Sequence, residues 1–455
     1  MKKILQTVLK QIVPSAAEVQ AENRIARELK NKIMKTEGKH VSVQLLGSQA
    51  RNTHLKEDRD LDLFVFFPKH LERKEFEKEG LRIGKKVLKG HFWEEAYSEH
   101  PYIRGQYKGF EVEIVPTYKI RGTFEKQSSV DRTPFHHQYL EKTLSKKQKN
   151  EVRLLKRFLK GIQAYGADTH FNSLPGYATE LLIVQYKNFP NALKKIAQWN
   201  IPTVIDIKKY WKKEQALQKF PEAALVLVDP TDSSRNVAAA LSAEQMKRII
   251  KASQAFLKKP EIEFFFPKPM QELDAKTILE QFKKRNALAI VARYPPKTVS
   301  DVAWGQIKKT EKKTKVFLEQ FDFEVKRIEG FTDEKNSVAW LMELVELELP
   351  KKRFRMGPPA EDKKNVERFL KAHPRCKPRI QNGRIALEIP RTIVSASKCL
   401  QLFLKQASKT KQPHVPESLR KTGRVLAHGT VQAEAAKNNA FRRFATEFFG
   451  KKKRF

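Results

Sequence analysis

Gly47-Ser48-Gln49-Ala50-Arg51, followed by Asp60-Leu61-Asp62 at the head of the apolar run Leu63-Phe64-Val65-Phe66-Phe67, is the stretch whose reading decides the fold. Val41 to Leu46 reads as a strand, the Gly-Ser pair as a turn, and Asp60 to Phe67 as a second strand. Alternate residues of a strand face one side, so Asp60 and Asp62 project together while Leu61 and Leu63 enter the core. Two carboxylates held side by side repel and call for a cation. Magnesium fits, because it takes oxygen ligands and is commonly held by one or two carboxylates plus substrate phosphates. Gly47 lets the chain pass close to a triphosphate, Ser48 offers a hydroxyl and an N–H, and Arg51 supplies a forked cation for phosphate oxygens. The layout points to nucleotidyl transfer.

Working outward, a helix over Arg73 to Leu88 and a strand over Phe110 to Val115 complete an α/β layer. Phe110-Glu111-Val112-Glu113-Ile114 alternates, so Glu111 and Glu113 share a face and either can supply a third carboxylate. Ahead of this layer lie two amphipathic helices, the second starting at Ser15. After a polar stretch over 121–149, Glu151 to Lys160 reads as a basic amphipathic helix carrying Lys156, and Gly161 and Gly166 end it near Tyr165. That break matters: on one continuous helix Lys156 and Tyr165 would face opposite ways. Leu174 to Phe189 and Ala192 to Trp199 read as further helices. Leu225 to Pro230 is a buried strand running into a turn, and Asp232, Arg235 and Asn236 follow just before a helical segment. Glu263–Phe266, Leu288–Ala292 and Val338–Leu349 are expected as strands, alternating with helices over Asp274–Lys284 and Asp301–Phe321. The three adjacent phenylalanines of the first are expected in the core.

The 455 residues are too many for one ordinary core and predict about three domains. Lys and Arg number 90 against 52 Asp and Glu, a formal net charge of +38, so the expected partner is a polyanion, nucleic acid first. No long uninterrupted apolar span appears, and Gln6, Lys10 and Gln11 interrupt the core that a signal peptide needs. A soluble, cytoplasmic protein is expected. Cys376 and Cys399 lack the spacing of a zinc site, and reduced thiols are the default.

Several short motifs recur in a fixed order. Gly47-Ser48-x-Ala50-Arg51-Asn52-Thr53, Asp60-Leu61-Asp62, Tyr97-Ser98-Glu99-His100-Pro101-Tyr102, Glu111-Val112-Glu113 and Val130-Asp131-Arg132-Thr133-Pro134-Phe135-His136-His137 come first. Asn150-Glu151-Val152-Arg153-Leu154-Leu155-Lys156, Asp229-Pro230-x-Asp232 with Arg235-Asn236-Val237-Ala238, and Arg355-Met356-Gly357-Pro358 follow. Together they resemble the archaeal (class I) CCA-adding enzymes, from residue 1 to about 370. The resemblance implies a template-independent nucleotidyltransferase that builds the 3'-terminal CCA of tRNA from CTP and ATP. It implies an α+β multidomain chain with a polymerase-β-like nucleotidyltransferase head over 1–140, a helical neck over 141–257, an α+β body over 258–370 and a basic tRNA-binding tail over 371–455. It also implies a homodimer acting on the acceptor arm. By the same resemblance Asp60, Asp62 and Glu113 hold magnesium, and Ser48, Arg51, His136, Lys156 and Tyr165 contact the nucleotide. Arg235 reads the base edge, and Tyr97 and Ser98 meet the primer's 3' end. Glu113 stands where aspartate is usual and Gln49 where an aromatic is common, which keeps Glu111 as an alternative third ligand. Alternative activities are poly(A)-type RNA tailing and non-catalytic RNA binding.

Overall fold

The computed structural model describes residues 1–37, 41–97, 99–166, 172–296, 298–374, 376–407, 409 and 413–450. The chain divides after Lys268 into two compact units.

The first unit begins with helices Lys2–Ile12 and Ala16–Glu37. Ser15 starts the second through a reciprocal cap: its Oγ accepts from the Glu18 N–H at 3.2 Å, and Glu18 accepts from the Ser15 N–H at 2.8 Å. Strands β1 (Ser42–Leu46), β2 (Asp60–Pro68), β3 (Trp93–Tyr97), β4 (Pro101–Tyr107) and β5 (Phe110–Lys119) form one sheet in the order β1-β2-β5-β4-β3. β2 and β5 run parallel, and the other pairs are antiparallel. The expected period of two holds on β2: Leu61, Leu63 and Val65 are buried with Val112 and Ile114 of β5, while Asp60 stays exposed and Asp62 half-buried. Phe76, Ile83 and Val87 of the Arg73–Val87 helix close that core. β3 and β4 were not anticipated, because Trp93–Tyr97 is almost wholly exposed and carries no alternating apolar signal.

Helices Thr133–Thr143, Lys146–Gly161, Gly176–Tyr186, Phe189–Ile196 and Ala243–Lys258 make a second layer. The Lys146–Gly161 helix ends where expected, and Tyr165 then bridges Leu174. This layer also holds a small sheet of β6 (Thr203–Ile205), β7 (Leu225–Asp229) and β8 (Asp232–Asn236). Residues 232–236, which sequence reading left without an element, are the second strand of a hairpin with β7. The expected Glu263–Phe266 strand is corrected: Ile262–Phe264 is a single 3-10 turn, and among the described residues no strand pairs with it. The core placement of its rings is right, since Phe264 and Phe265 are buried against Phe158 and Phe256. Strand propensity in an aromatic run yields here to packing on a helix.

In the second unit, β9 (Ala287–Arg293), β10 (Val325–Thr332), β11 (Ser337–Leu344) and, after the separate sheet of β12 (Lys352–Pro359), β13 (Pro378–Gln381) and β14 (Arg384–Pro390), strand β15 (Arg424–Leu426) assemble. The larger sheet runs β10-β11-β9-β15, so β15 completes the sheet that β9 begins. β9 is covered on both faces. Leu288 and Ile290 pack into the core containing Trp340, Leu400 and the Ser300–Gln320 helix, while Ala289 and Val291 pack toward Phe441, Phe444 and Phe448. Burial on both faces explains why β9 reads as a continuous apolar run. The expected strand over Val338–Leu349 stops at Leu344, and the strand over Val325–Thr332 was missed. Cys376 and Cys399 are both free. No helix among the described residues is long and apolar enough to cross a membrane.

Candidate active site

The parallel pairing of β2 with β5 sets the acidic residues in register, Asp60 opposite Glu111 and Asp62 opposite Glu113. On the other side β1 delivers Leu46 opposite Asp62, so the Gly47 turn begins beside that carboxylate. Asp60 is open on its outer side, and partial desolvation at the strand start raises its carboxyl, with Asp58 and Glu111 adding to the shift. Burial, then Glu113 and Asp60, push Asp62 up to about 8. An aspartate so disfavoured as an anion is set for a cation, and two carboxylates plus substrate oxygens suit a hard divalent ion.

Glu113 is engaged elsewhere. It accepts from Arg104 Nε at 2.9 Å and from the Tyr102 hydroxyl at 3.3 Å, while Arg104 Nε lies 3.5 Å from Glu111. Among the described residues no three of His, Cys, Asp and Glu converge into a ready-made metal cage. The residues in place to hold a metal are Asp60 and Asp62, and Glu113 sits one strand away on a cationic partner.

Behind the turn lies a buried cationic cluster. Arg51 forms a two-pronged ion pair with Glu180, Nε to Oε1 at 3.0 Å and Nη2 to Oε2 at 2.8 Å. Lys156 is fully buried nearby; burial pushes its ammonium down to about 8 against the pull of Glu180. Burial would raise Glu180, but Arg51 and then Lys156 hold its carboxyl below the ordinary range. Two cations share one anion, which leaves a net positive charge beside the turn. Lys160 pairs with Asp58 at 2.5 Å and sits over the Tyr165 ring at 5.7 Å, which ties Tyr165 to this cluster.

A second cluster gathers around Asp229 at the end of β7. His136 Nε2 donates to Asp229 Oδ2 at 2.8 Å, Arg235 Nη1 donates to the same oxygen at 3.0 Å, and Thr231 donates to Oδ1. Burial opposes ionisation of Asp229, but the His136 hydrogen bond and charge, with Thr231 and Arg235, hold it far below the ordinary range. His136 stacks on Tyr177, with centroids 4.0 Å apart. The hydrogen bond to Asp229 thus orients Arg235 from β8.

The structure brings Asp60 and Asp62 to the end of β1 where Gly47 and Ser48 turn, and draws Arg51 and Lys156 together. His136 and Arg235 form a second group. Tyr97 ends the edge strand β3 opposite Pro101, whereas the residue of β4 level with Glu113 is Arg104, so Tyr97 is set off along the sheet from the acidic row. Ser98 lies outside the described residues. Sequence reading missed Glu180, Arg104 and Tyr177. Glu180 did carry a signal: it is the only charged residue in Ala178-Thr179-Glu180-Leu181-Leu182-Ile183-Val184, and a carboxylate in so apolar a helix needs a buried partner.

Family models match along the chain: a nucleotidyltransferase domain over residues 27–136, the second domain of tRNA nucleotidyltransferase over 150–266, and the C-terminal domain of CCA-adding enzyme over 285–428. A CCA-adding enzyme of Methanosarcina mazei is 33% identical over 435 residues, covering 93% of this chain and 93% of that one. The chain belongs to the CCA-adding enzyme family. The family's Archaeoglobus fulgidus member is 36% identical, covering 84% and 85% of the two chains. Among solved structures, a cytoplasmic RNA terminal U-transferase aligns at a TM-score of 0.46 and 16% identity, over 59% of this chain and 97% of that one. The chain's own elements make an α+β, multidomain fold, and the nucleotidyltransferase domain carries the acidic row.

Proposed function

We propose that this chain adds and repairs the 3'-terminal CCA of tRNA, using CTP and ATP and releasing pyrophosphate. The observation that carries the reading is the register of β2 against β5, with Asp60 and Asp62 on one face and the Gly47 turn beginning beside Asp62. Asp60 and Asp62, and Glu113 if it leaves Arg104, hold the divalent ion, which we take to be magnesium. When bound, that ion supplies charge that favours loss of the 3'-hydroxyl proton and offsets charge on the departing pyrophosphate.

The chain's own residues position the reactants. Ser48, Arg51, Lys156 and Tyr165 take the triphosphate, whose negative charge suits the excess of cations around Glu180. His136 and Tyr177 form a stacked wall, and Arg235, oriented by Asp229, reads the base edge. We assign contact with the primer's 3' end to Tyr97 and Ser98. The four regions 1–140, 141–257, 258–370 and 371–455 act as head, neck, body and tail, and the basic later regions track the phosphates of the acceptor arm. We further place the protein in the cytoplasm, as a homodimer.

The test supplies purified protein and magnesium with tRNAs ending before the first C, after it and after the second C, each offered one nucleoside triphosphate at a time. Two C additions then one A, with no use of GTP or UTP, is the expected result, and Asp62→Asn is expected to abolish it while tRNA still binds. A run of A alone would make this an RNA-tailing enzyme. Tight tRNA binding with no incorporation would leave an RNA-binding protein.

A further inference from the structure

The four residues after the Gly47–Ala50 turn are fastened alternately to two helices. Arg51 and Thr53 go to Glu180 on the Gly176–Tyr186 helix, with Thr53 Oγ1 donating to Oε1 at 2.5 Å. Asn52 and His54 go to Arg153 on the Lys146–Gly161 helix, which donates to the Asn52 side chain and, at 2.8 Å, to the His54 carbonyl. Residues 51–54 thus lie between two fixed anchors.

Glu180 is fully buried and accepts three hydrogen bonds, all from this segment. Its pairing uses Nε and Nη2 of Arg51, one side of the guanidinium. The fork has five N–H donors, so the edge formed by Nη1 and the remaining Nη2 hydrogen stays available, a geometry suited to two phosphate oxygens. Asp62 lies close enough for the Arg51 charge to lower its carboxyl, so it is available to an Arg51 released from Glu180. Collapse of Arg51 onto Asp62 would remove both a phosphate-binding cation and a metal-binding carboxylate.

We propose that Glu180 is a positioning residue for nucleotide binding, holding the Arg51 guanidinium side-on so that its other edge faces the triphosphate. This rests on the assignment of Arg51 to the triphosphate made above. Glu180 touches neither nucleotide nor metal and acts through Arg51.

The test compares the full-length chain with Glu180→Gln and Glu180→Asp, measuring equilibrium binding of CTP, of inorganic tripolyphosphate and of tRNA, and the thermal midpoint. Glu180→Gln keeps the volume but sets an amide N–H against one guanidinium N–H. It is expected to weaken CTP and tripolyphosphate by the same factor, on the order of tenfold, with tRNA affinity unchanged and a matching rise in KM for CTP. Glu180→Asp, which keeps the charge, is expected to recover part of the loss. A folded Glu180→Gln that binds CTP and tripolyphosphate as the parent does would overturn the proposal. Should Glu180→Gln not fold, Arg51→Met is compared with Arg51→Met/Glu180→Met, in which the pair is replaced by apolar side chains. Equal CTP affinity in these two supports an action through Arg51, and a further loss in the double variant overturns it. A parent chain that binds neither CTP nor tripolyphosphate would overturn both this proposal and the nucleotide-transfer reading beneath it.

Discussion

Asp62 Oδ2 occupies the space that a side chain at residue 47 would need. A Cβ built on Gly47 falls 1.8 Å from that oxygen, and Gly47 has a φ of +73°, in the left-handed region. Gly47→Ala is therefore expected to displace the carboxylate or unwind the turn. We expect nucleotide incorporation to fall by at least about a hundredfold, as misplacement near 1 Å can do. Circular dichroism and tRNA affinity should hardly change. Wild-type turnover in a folded Gly47→Ala chain would show that neither turn nor carboxylate is held as described.

Lys156 gives the site a pH dependence of definite sign. Burial lowers its ammonium from 10.5 to about 8 in the nucleotide-free protein, so the proton is present below that value and lost above it. A triphosphate binds the charged form, and CTP affinity is expected to decline as pH rises through about 8. Lys156→Met should bind CTP weakly and with a shallower decline, the remainder coming from Asp62, which ionises in the same range. The stability linkage has the opposite sense: between about 8 and 10.5 the unfolded chain holds the extra proton, so this residue's contribution to stability rises with pH. Calorimetric CTP titrations at a series of pH values read the first effect, and denaturant melts read the second.

Arg104 holds Glu113 at 2.9 Å, so under the proposed metal role of Glu113 it is a competitor for the cation. Arg104→Met should release the carboxylate and remove a positive charge from the acidic row. The magnesium concentration giving half-maximal incorporation is expected to fall several-fold. A rise in that concentration would mean that Arg104 orients Glu113 for the metal and does not shield it.

Phe265 packs edge-on against Phe158 and Phe256 at 5.8 and 5.5 Å and is fully buried. Phe265→Ala is expected to destabilise the first unit by about 3–5 kcal/mol. Urea denaturation should show the shift, with CTP affinity intact wherever the protein remains folded.

The acidic row was legible because period two on Asp60-Leu61-Asp62-Leu63 and on Glu111-Val112-Glu113-Ile114 is a local property. Their adjacency was not, since the strand register is set across some fifty residues of chain, a distance over which spacing alone gives no pairing. Nor could sequence show that Glu113 turns to Arg104, because that contact depends on the missed strand β4 pairing with β5. The break after Gly161 was readable from glycine placement, and Tyr165 does lie beyond it. Residues 232–236 gave no strand signal because Asp, Ser and Asn favour turns, and their strand exists only through pairing with the buried β7. The continuous apolar run of β9 announced burial on both faces but not which later segment would lie beside it.

That segment is β15, and its position bears on how the second unit is made. β9 leaves the ribosome long before Arg424–Leu426, and until these arrive one side of an almost wholly buried strand has open N–H and C=O groups. The rings of Phe441, Phe444 and Phe448, which cover one face of the same sheet, come later still. Translation that stops short of residue 424 yields a chain whose catalytic unit is complete but which carries a sticky edge, so truncated products are the ones to expect in aggregates.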